Sequence, residues 1–94
     1  MNKYIIIRKH GFDSAILLFG NVSHDQAVNP AKLELDGAEV LSAGFFEIPN
    51  GQIKVDDLGS NSLNLLPRPE DLEIIGRTLI LMDLAPRSLW NTNN

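Results

Sequence analysis

The sequence predicts an α+β domain: an antiparallel, meander-like sheet of about five to six strands packed by one main C-terminal α-helix. Three observations carry this expectation. Apolar runs at residues 3–9 and 14–19 flank the glycine-containing loop His10-Gly11-Phe12-Asp13, as the strands of a hairpin do. Asn50-Gly51 supplies a two-residue turn between two further short runs. From Leu72 onward, apolar residues recur at helical spacing behind Pro69 and a group of acids. No repeat or linker divides the 94 residues. Residues 1–94 are therefore read as a single domain, with 91–94 expected to fray.

The first two runs do not alternate. Ile5, Ile6 and Ile7 are consecutive, as are Ile16, Leu17, Leu18 and Phe19. Strands covered on both faces have this pattern, so both are expected in the middle of the sheet or in a dimer interface. Gly20-Asn21 breaks the pattern. Ser23-His24-Asp25-Gln26 matches a capping box and predicts a helix of a turn or two, which Asn29-Pro30 stops.

Residues 31–41 admit two readings. Asp36-Gly37 is a strong hairpin turn, but it sets Glu34 opposite Glu39, and like charges there destabilise. A helix through Ala31–Leu41 carries Gly37 in its interior at about 1 kcal/mol. The hairpin is the favoured expectation. Ser42-Ala43-Gly44 then places three small residues in a strand, which marks a bulge or a close backbone approach.

Folding the chain about Asn50-Gly51 pairs Ile48 with Ile53, Glu47 with Lys54 and Phe46 with Val55. The apolar residues then share one face, and the opposite charges share the other. After a loop at 56–61, Ser62-Leu63-Asn64-Leu65 alternates like a half-buried strand. Pro69 suits the first helical position, and Glu70, Asp71 and Glu73 favour the positive end of the helix dipole. Leu72, Ile75, Leu79 and Met82 make the inward stripe, with Gly76 on the same side and Ile74, Ile80 and Leu81 widening it. Pro86 ends the helix by about residue 84.

Composition excludes several classes. The chain has no cysteine, so it is neither a disulfide-stapled scaffold nor a Cys-ligated zinc domain. Eight Lys and Arg against twelve Asp and Glu leave a net charge of −4. Glu34, Asp36, Glu39, Glu47, Asp56 and Asp57 make the middle acidic, which opposes nucleic-acid binding. The longest apolar runs, such as Leu79–Met82, are far below the roughly 20 residues of a membrane span. The apolar stretch at Tyr4–Ile7 closes on Arg8-Lys9 and makes no signal peptide, so cytoplasmic residence is the expectation.

Little points to catalysis. His24 and His10 are the two histidines, each beside a turn. A nucleophile elbow is missing. A calcium loop begun at Asp57 fails at Ser62, where glycine is required, and at Arg68, where a bidentate Glu is required. Gly59-Ser60-Asn61-Ser62 precedes a helix whose first turn offers Pro69 and carboxylates, a poor phosphate cradle. No cofactor or metal site is expected. A polar strand face of Ser60, Ser62 and Asn64 can line a small pocket with His24 and Arg68.

Ser42-Ala43-Gly44-Phe45, Gly59-Ser60-Asn61-Ser62-Leu63 and Arg68-Pro69-Glu70-Asp71 together resemble a group of short bacterial proteins. That group shares a Ser-Ala-Gly-Phe strand, a short hairpin, Gly-x-Ser-x-Ser-Leu, an Arg-Pro-Glu-Asp helix start and often a histidine near His24. The resemblance covers about residues 24–80. It implies a common fold and carries no activity.

The leading functional expectation is a non-enzymatic interaction protein acting as a homodimer. Apolar surface exceeds what two layers cover, and Ile5, Ile7, Leu17, Phe19, Leu89 and Trp90 are the candidate interface. A small enzyme or ligand binder at the polar face near His24 is the second reading. An acidic inhibitor of a nucleic-acid enzyme is the third, and it requires the acids of the middle segment to gather on one surface.

Overall fold

The computed structural model describes residues 2–19, 23–24, 29–56, 63 and 65–82. Among them the chain forms β1 (Asn2–Lys9), β2 (Phe12–Leu18), α1 (Pro30–Leu35), β3 (Ala38–Glu47), β4 (Lys54–Asp56) and α2 (Asp71–Leu81). The strands pair antiparallel in the order β2-β1-β3-β4. The α+β class and the main helix are as predicted. The sheet has four strands among the described residues, not five to six. Of the expected strands, residues 31–35 are helical; of 62–65, Leu63 and Leu65 lie outside any strand, and Ser62 and Asn64 lie outside the described residues.

The first hairpin turns on His10-Gly11, whose φ values of 55° and 74° are both positive. A type I′ turn requires this, and its twist matches that of the strands. It aligns Lys9 with Phe12 and Ile5 with Ile16. Of the two runs, β1 lies inside the sheet, with β3 on its other side. Among the described residues β2 is an edge strand, so of the two places expected for these runs, the middle of the sheet or a dimer interface, the middle holds for β1 and not for β2.

The consecutive isoleucines feed two cores. Tyr4 and Ile6 join Phe46, Ile74, Ile75 and Leu79 under α2, with Ala15 and Leu17 packed beside them. Ile5 and Ala43 form the opposite core with Ile7, Ile16, Leu18, Leu33 and Val40. Successive side chains of a strand point to opposite faces, so a run apolar at every position serves a sheet covered on both sides. Each fully buried isoleucine contributes about 1.5–3 kcal/mol.

Asp36-Gly37 ends a helix and does not turn a hairpin. Asn29 Oδ1 accepts from Ala31 N at 3.1 Å and Lys32 N at 3.4 Å, and Pro30 takes the first helical position. Asn29-Pro30 therefore starts this helix; Asn29 is itself extended, as expected before proline, and residues 25–28 of the turn it was expected to stop lie outside the described residues. Gly37 N donates to Glu34 O at 3.0 Å, and its φ of 83° is the left-handed cap conformation. The helix also removes the expected Glu34–Glu39 repulsion.

The second hairpin keeps the predicted register, with Phe46 opposite Val55 and Glu47 opposite Lys54. Its turn is the predicted two-residue one: Asn50 (φ 55°, ψ 33°) and Gly51 (φ 78°) take the positive φ of a type I′ turn, closed by Gln52 N donating to Pro49 O at 3.1 Å. The ladder ends at Glu47 and Lys54, short of Ile48 and Ile53; Ile53 packs on the core, and Ile48 is exposed. Lys54 Nζ lies 3.6 Å from Asp56 and makes its ion pair there, not with Glu47.

Both readings of the small residues in β3 hold. The β1–β3 register shifts between Ile6, which faces Ser42, and Ile7, which faces Val40, so Leu41 is an extra, bulged residue. At Gly44, a Cβ would meet Pro67 Cγ at 3.0 Å and Tyr4 Cε1 at 3.1 Å. In α2 the buried row is Asp71, Ile74, Ile75, Gly76 and Leu79, whereas Leu72, Leu81 and Met82 are exposed. The stripe expected through Leu72 and Met82 is thus rotated toward Ile74, because Asp71 faces inward at the helix start.

Candidate functional site

The polar residues that converge do so around Asp71. Ser42 and Tyr4 point toward α2 because β1 and β3 pair them on that face, and the helix start lowers Asp71 between them. Its carboxylate accepts from the Tyr4 hydroxyl at 2.7 Å and from Ser42 Oγ at 2.9 Å. It also accepts from Arg68 N at 2.9 Å and Arg68 Nε at 3.2 Å. Asp71 N in turn donates to Arg68 O at 3.0 Å. A carboxylate reaching back three residues to a backbone N–H is half of a capping box, and it winds the first turn of α2 from Arg68.

Tyr4, Ser42 and Asp71 are 0% exposed, so no solute reaches them. The carboxylate is saturated by donors. Chemically, this arrangement anchors helix to sheet and commits the carboxylate to internal bonds.

The cluster continues outward through Arg68 to β2. Arg68 Nη2 is buried without a hydrogen bond and lies 3.9 Å from Asp13 Oδ2. Arg8 grips Asp13 through two bonds, Nε at 2.7 Å and Nη2 at 3.1 Å. The hydrogen bond from Arg8 holds the Asp13 carboxyl below its ordinary value; partial desolvation opposes this, and the charges of Arg8, Arg68 and Arg77 reinforce it. Arg77 Nη2 donates to Asp13 O at 2.7 Å, with its guanidinium 5.0 Å from the centroid of the Phe12 ring.

His24 lies on the other face. It is 2% exposed, and its Nε2–H donates to Gly44 O at 2.9 Å. Its ring meets Phe45 edge-on at 5.3 Å. Phe45 alternates with Gly44 and Ser42, so it points away from Asp71. His24 and Arg68 therefore do not line one pocket. Ser60, Ser62 and Asn64 lie outside the described residues, as do Leu89 and Trp90. Among the described residues no three His, Cys, Asp or Glu are grouped to hold a metal, and no helix is long and apolar enough to cross a membrane.

The candidate interface residues divide between faces. Ile5 is fully buried in its own chain, and Ile7 packs beside it. Leu17 is on the α2 face, and Phe19 is 49% exposed with its ring edge on Phe46. Of the acids, Glu39 and Asp56 do not share a surface either, and Asp57 lies outside the described residues. Glu39 sits opposite Arg8 at one end of β3, while Asp56 sits opposite Phe45 near the other end and on the other face.

Sequence reasoning did not single out the outer edge of β2. In a two-residue hairpin the residues flanking the turn, here Lys9 and Phe12, form the first hydrogen-bonded pair. Asp13, Ala15 and Leu17 then turn their backbone N–H and C=O groups outward. The Arg77 bond to Asp13 O agrees with this phase. Among the described residues no strand pairs with that edge. No residue of β2 is buried, and Asp13 is its one charged residue. No known family, curated protein or solved structure matches the chain.

Proposed function

We propose that the chain is a small, non-enzymatic interaction protein that acts as a homo-oligomer, in its simplest form a homodimer. The observation that carries this reading is the outer edge of β2, which no strand among the described residues pairs with, and where Ala15, Ile16, Leu17 and Leu18 are only half-buried although they abut both cores. A long apolar edge with unpaired backbone groups templates another strand unless something guards it. The saturated Asp71 cluster supports the non-enzymatic part, since its polar groups are committed to internal bonds. Cytoplasmic residence and a fold shared with the bacterial group belong to the same proposal, on the cysteine-free composition and the Ser42–Phe45 and Arg68–Asp71 motifs.

Size-exclusion chromatography with light scattering at low micromolar concentration tests it. The expected mass is about twice the chain's 10.4 kDa. A species of one chain mass across that range overturns the reading.

A further inference from the structure

We infer that the strand completing the β2 edge is β2 of a second copy, paired antiparallel about a two-fold axis at Ile16. The inference rests on the homo-oligomer reading and specifies where and how the copies meet.

Backbone phase limits the registers. Hydrogen-bonded pairs across a new antiparallel edge must join outward-facing residues, which on β2 are Asp13, Ala15 and Leu17. Asp13 O is already taken by Arg77 at 2.7 Å. That leaves Ala15 and Leu17, which no described strand pairs on this side. An antiparallel pair that uses both, and does not need Asp13 O, sets Ala15 against Leu17 of the second copy and Leu17 against its Ala15. The axis then passes through Ile16. Arg77 acts as a guard that excludes registers shifted toward the turn.

Side-chain size and charge agree with this register. Ala15 and Leu17 both point to the α2 face, so small meets large in each pair. An axis at Ala15 would place alanine on alanine and Asp13 against leucine. With the axis at Ile16, each Asp13 is far from its symmetry mate, so like charges do not meet. On the other face Ile16 meets Ile16 and Ser14 meets Leu18, extending the core of Ile5 and Ala43. The product is one continuous eight-stranded sheet (four strands from each copy) with an isologous contact.

The absence of native cysteine makes the register directly readable. Ser14→Cys, Ala15→Cys, Ile16→Cys and Leu17→Cys would be made singly in the full chain and exposed to mild oxidant. Only Ile16 faces itself, in a non-hydrogen-bonded pair with Cα atoms about 4.5 Å apart, within disulfide reach. The other three positions lie about 8 Å or more from their own copies, beyond that reach. Ile16→Cys should therefore cross-link about ten-fold faster or more than the others. Amide exchange of the unmodified chain provides a second measurement. The Ala15 and Leu17 amides should be protected in the dimer and lose protection on dilution.

Fastest cross-linking at another position overturns the register while leaving the homodimer standing. A dimer by mass whose Ala15 and Leu17 amides exchange freely overturns the β2 contact alone. Protection that persists in a species of one chain mass shows that the chain covers its own edge, and both readings then fail.

Discussion

Asp71 combines full burial with four donors drawn from β1, β3 and the turn before α2. Replacing it by asparagine substitutes a hydrogen-bond-donating amide NH2 for one acceptor oxygen and removes the countercharge of Arg68. The expected cost of Asp71→Asn is about 3–5 kcal/mol, the range for breaking a buried ion pair from one side. Tyr4→Phe removes one bond to a charged acceptor and should cost about 1.5–3 kcal/mol. Urea denaturation of both variants measures the difference, and equal losses would show that the buried charge is not the anchor. Asp13 behaves differently because it is partly exposed. Its folded carboxyl titrates below the ordinary 3.8 owing to the Arg8 hydrogen bond. The stability it adds is complete above the unfolded value and is lost as pH falls through the lower folded value. Solvent screening keeps this contribution modest. Acid titration of stability should show a shallower decline for Asp13→Asn than for the native chain, and parallel curves would refute the linkage. In the sequence each of these residues has a local meaning: Asp71 a first-turn acid, Ser42 a small strand residue, Tyr4 part of an apolar run. Their meeting spans 67 and 29 positions, which no local pattern encodes. The spacing of Arg68 and Asp71 was the one nearby sign of a reach-back cap.

Two Xaa-Gly pairs show what turn chemistry determines at the level of the element. Asn50-Gly51 and Asp36-Gly37 both allow a positive φ at glycine, and both glycines adopt it, at 78° and 83°. The first lies between strands whose facing residues suit each other, so its register was readable. The second follows Asn29-Pro30, a cap and a first-position proline, and the same left-handed glycine closes a helix there. The pair alone does not distinguish these outcomes; the segment before it does, and Asn29-Pro30 itself reads equally as a stop or a start. Gly37→Ala tests the closure cleanly. A Cβ there meets nothing within 4 Å, so the cost is conformational and should be about 1–2 kcal/mol. Thermal unfolding measures it, and an unchanged midpoint would show that α1 does not depend on this cap. The bulge at Leu41 was foreshadowed by three small residues, although the extra residue itself is the leucine before them.

At the scale of the molecule, the class and the main helix were legible because they follow from local periodicity. The sheet order was not. Hydrophobicity marks β1 and β2 alike as two-faced, and nothing in either run says which receives β3 on its second side. The order β2-β1-β3-β4 resolves this by placing the more buried strand inside. It also changes what the apolar surplus means. Much of it is absorbed by two cores on one sheet; what remains is spread over Phe12 and Phe19, Leu35 of α1, Leu66 before α2 and Leu72 and Leu81 on α2, while the apolar run of β2 stays half-buried along the strand left outside. The order has a consequence in time as well as in space. Tyr4 leaves the ribosome 67 residues before Asp71, its hydrogen-bond partner. At about 5–20 residues per second, the first hairpin waits on the order of several seconds for the helix that will cover it. Through that interval both faces of the nascent hairpin are bare, and the type I′ turn at His10-Gly11 holds the register of its two strands until the rest of the chain arrives.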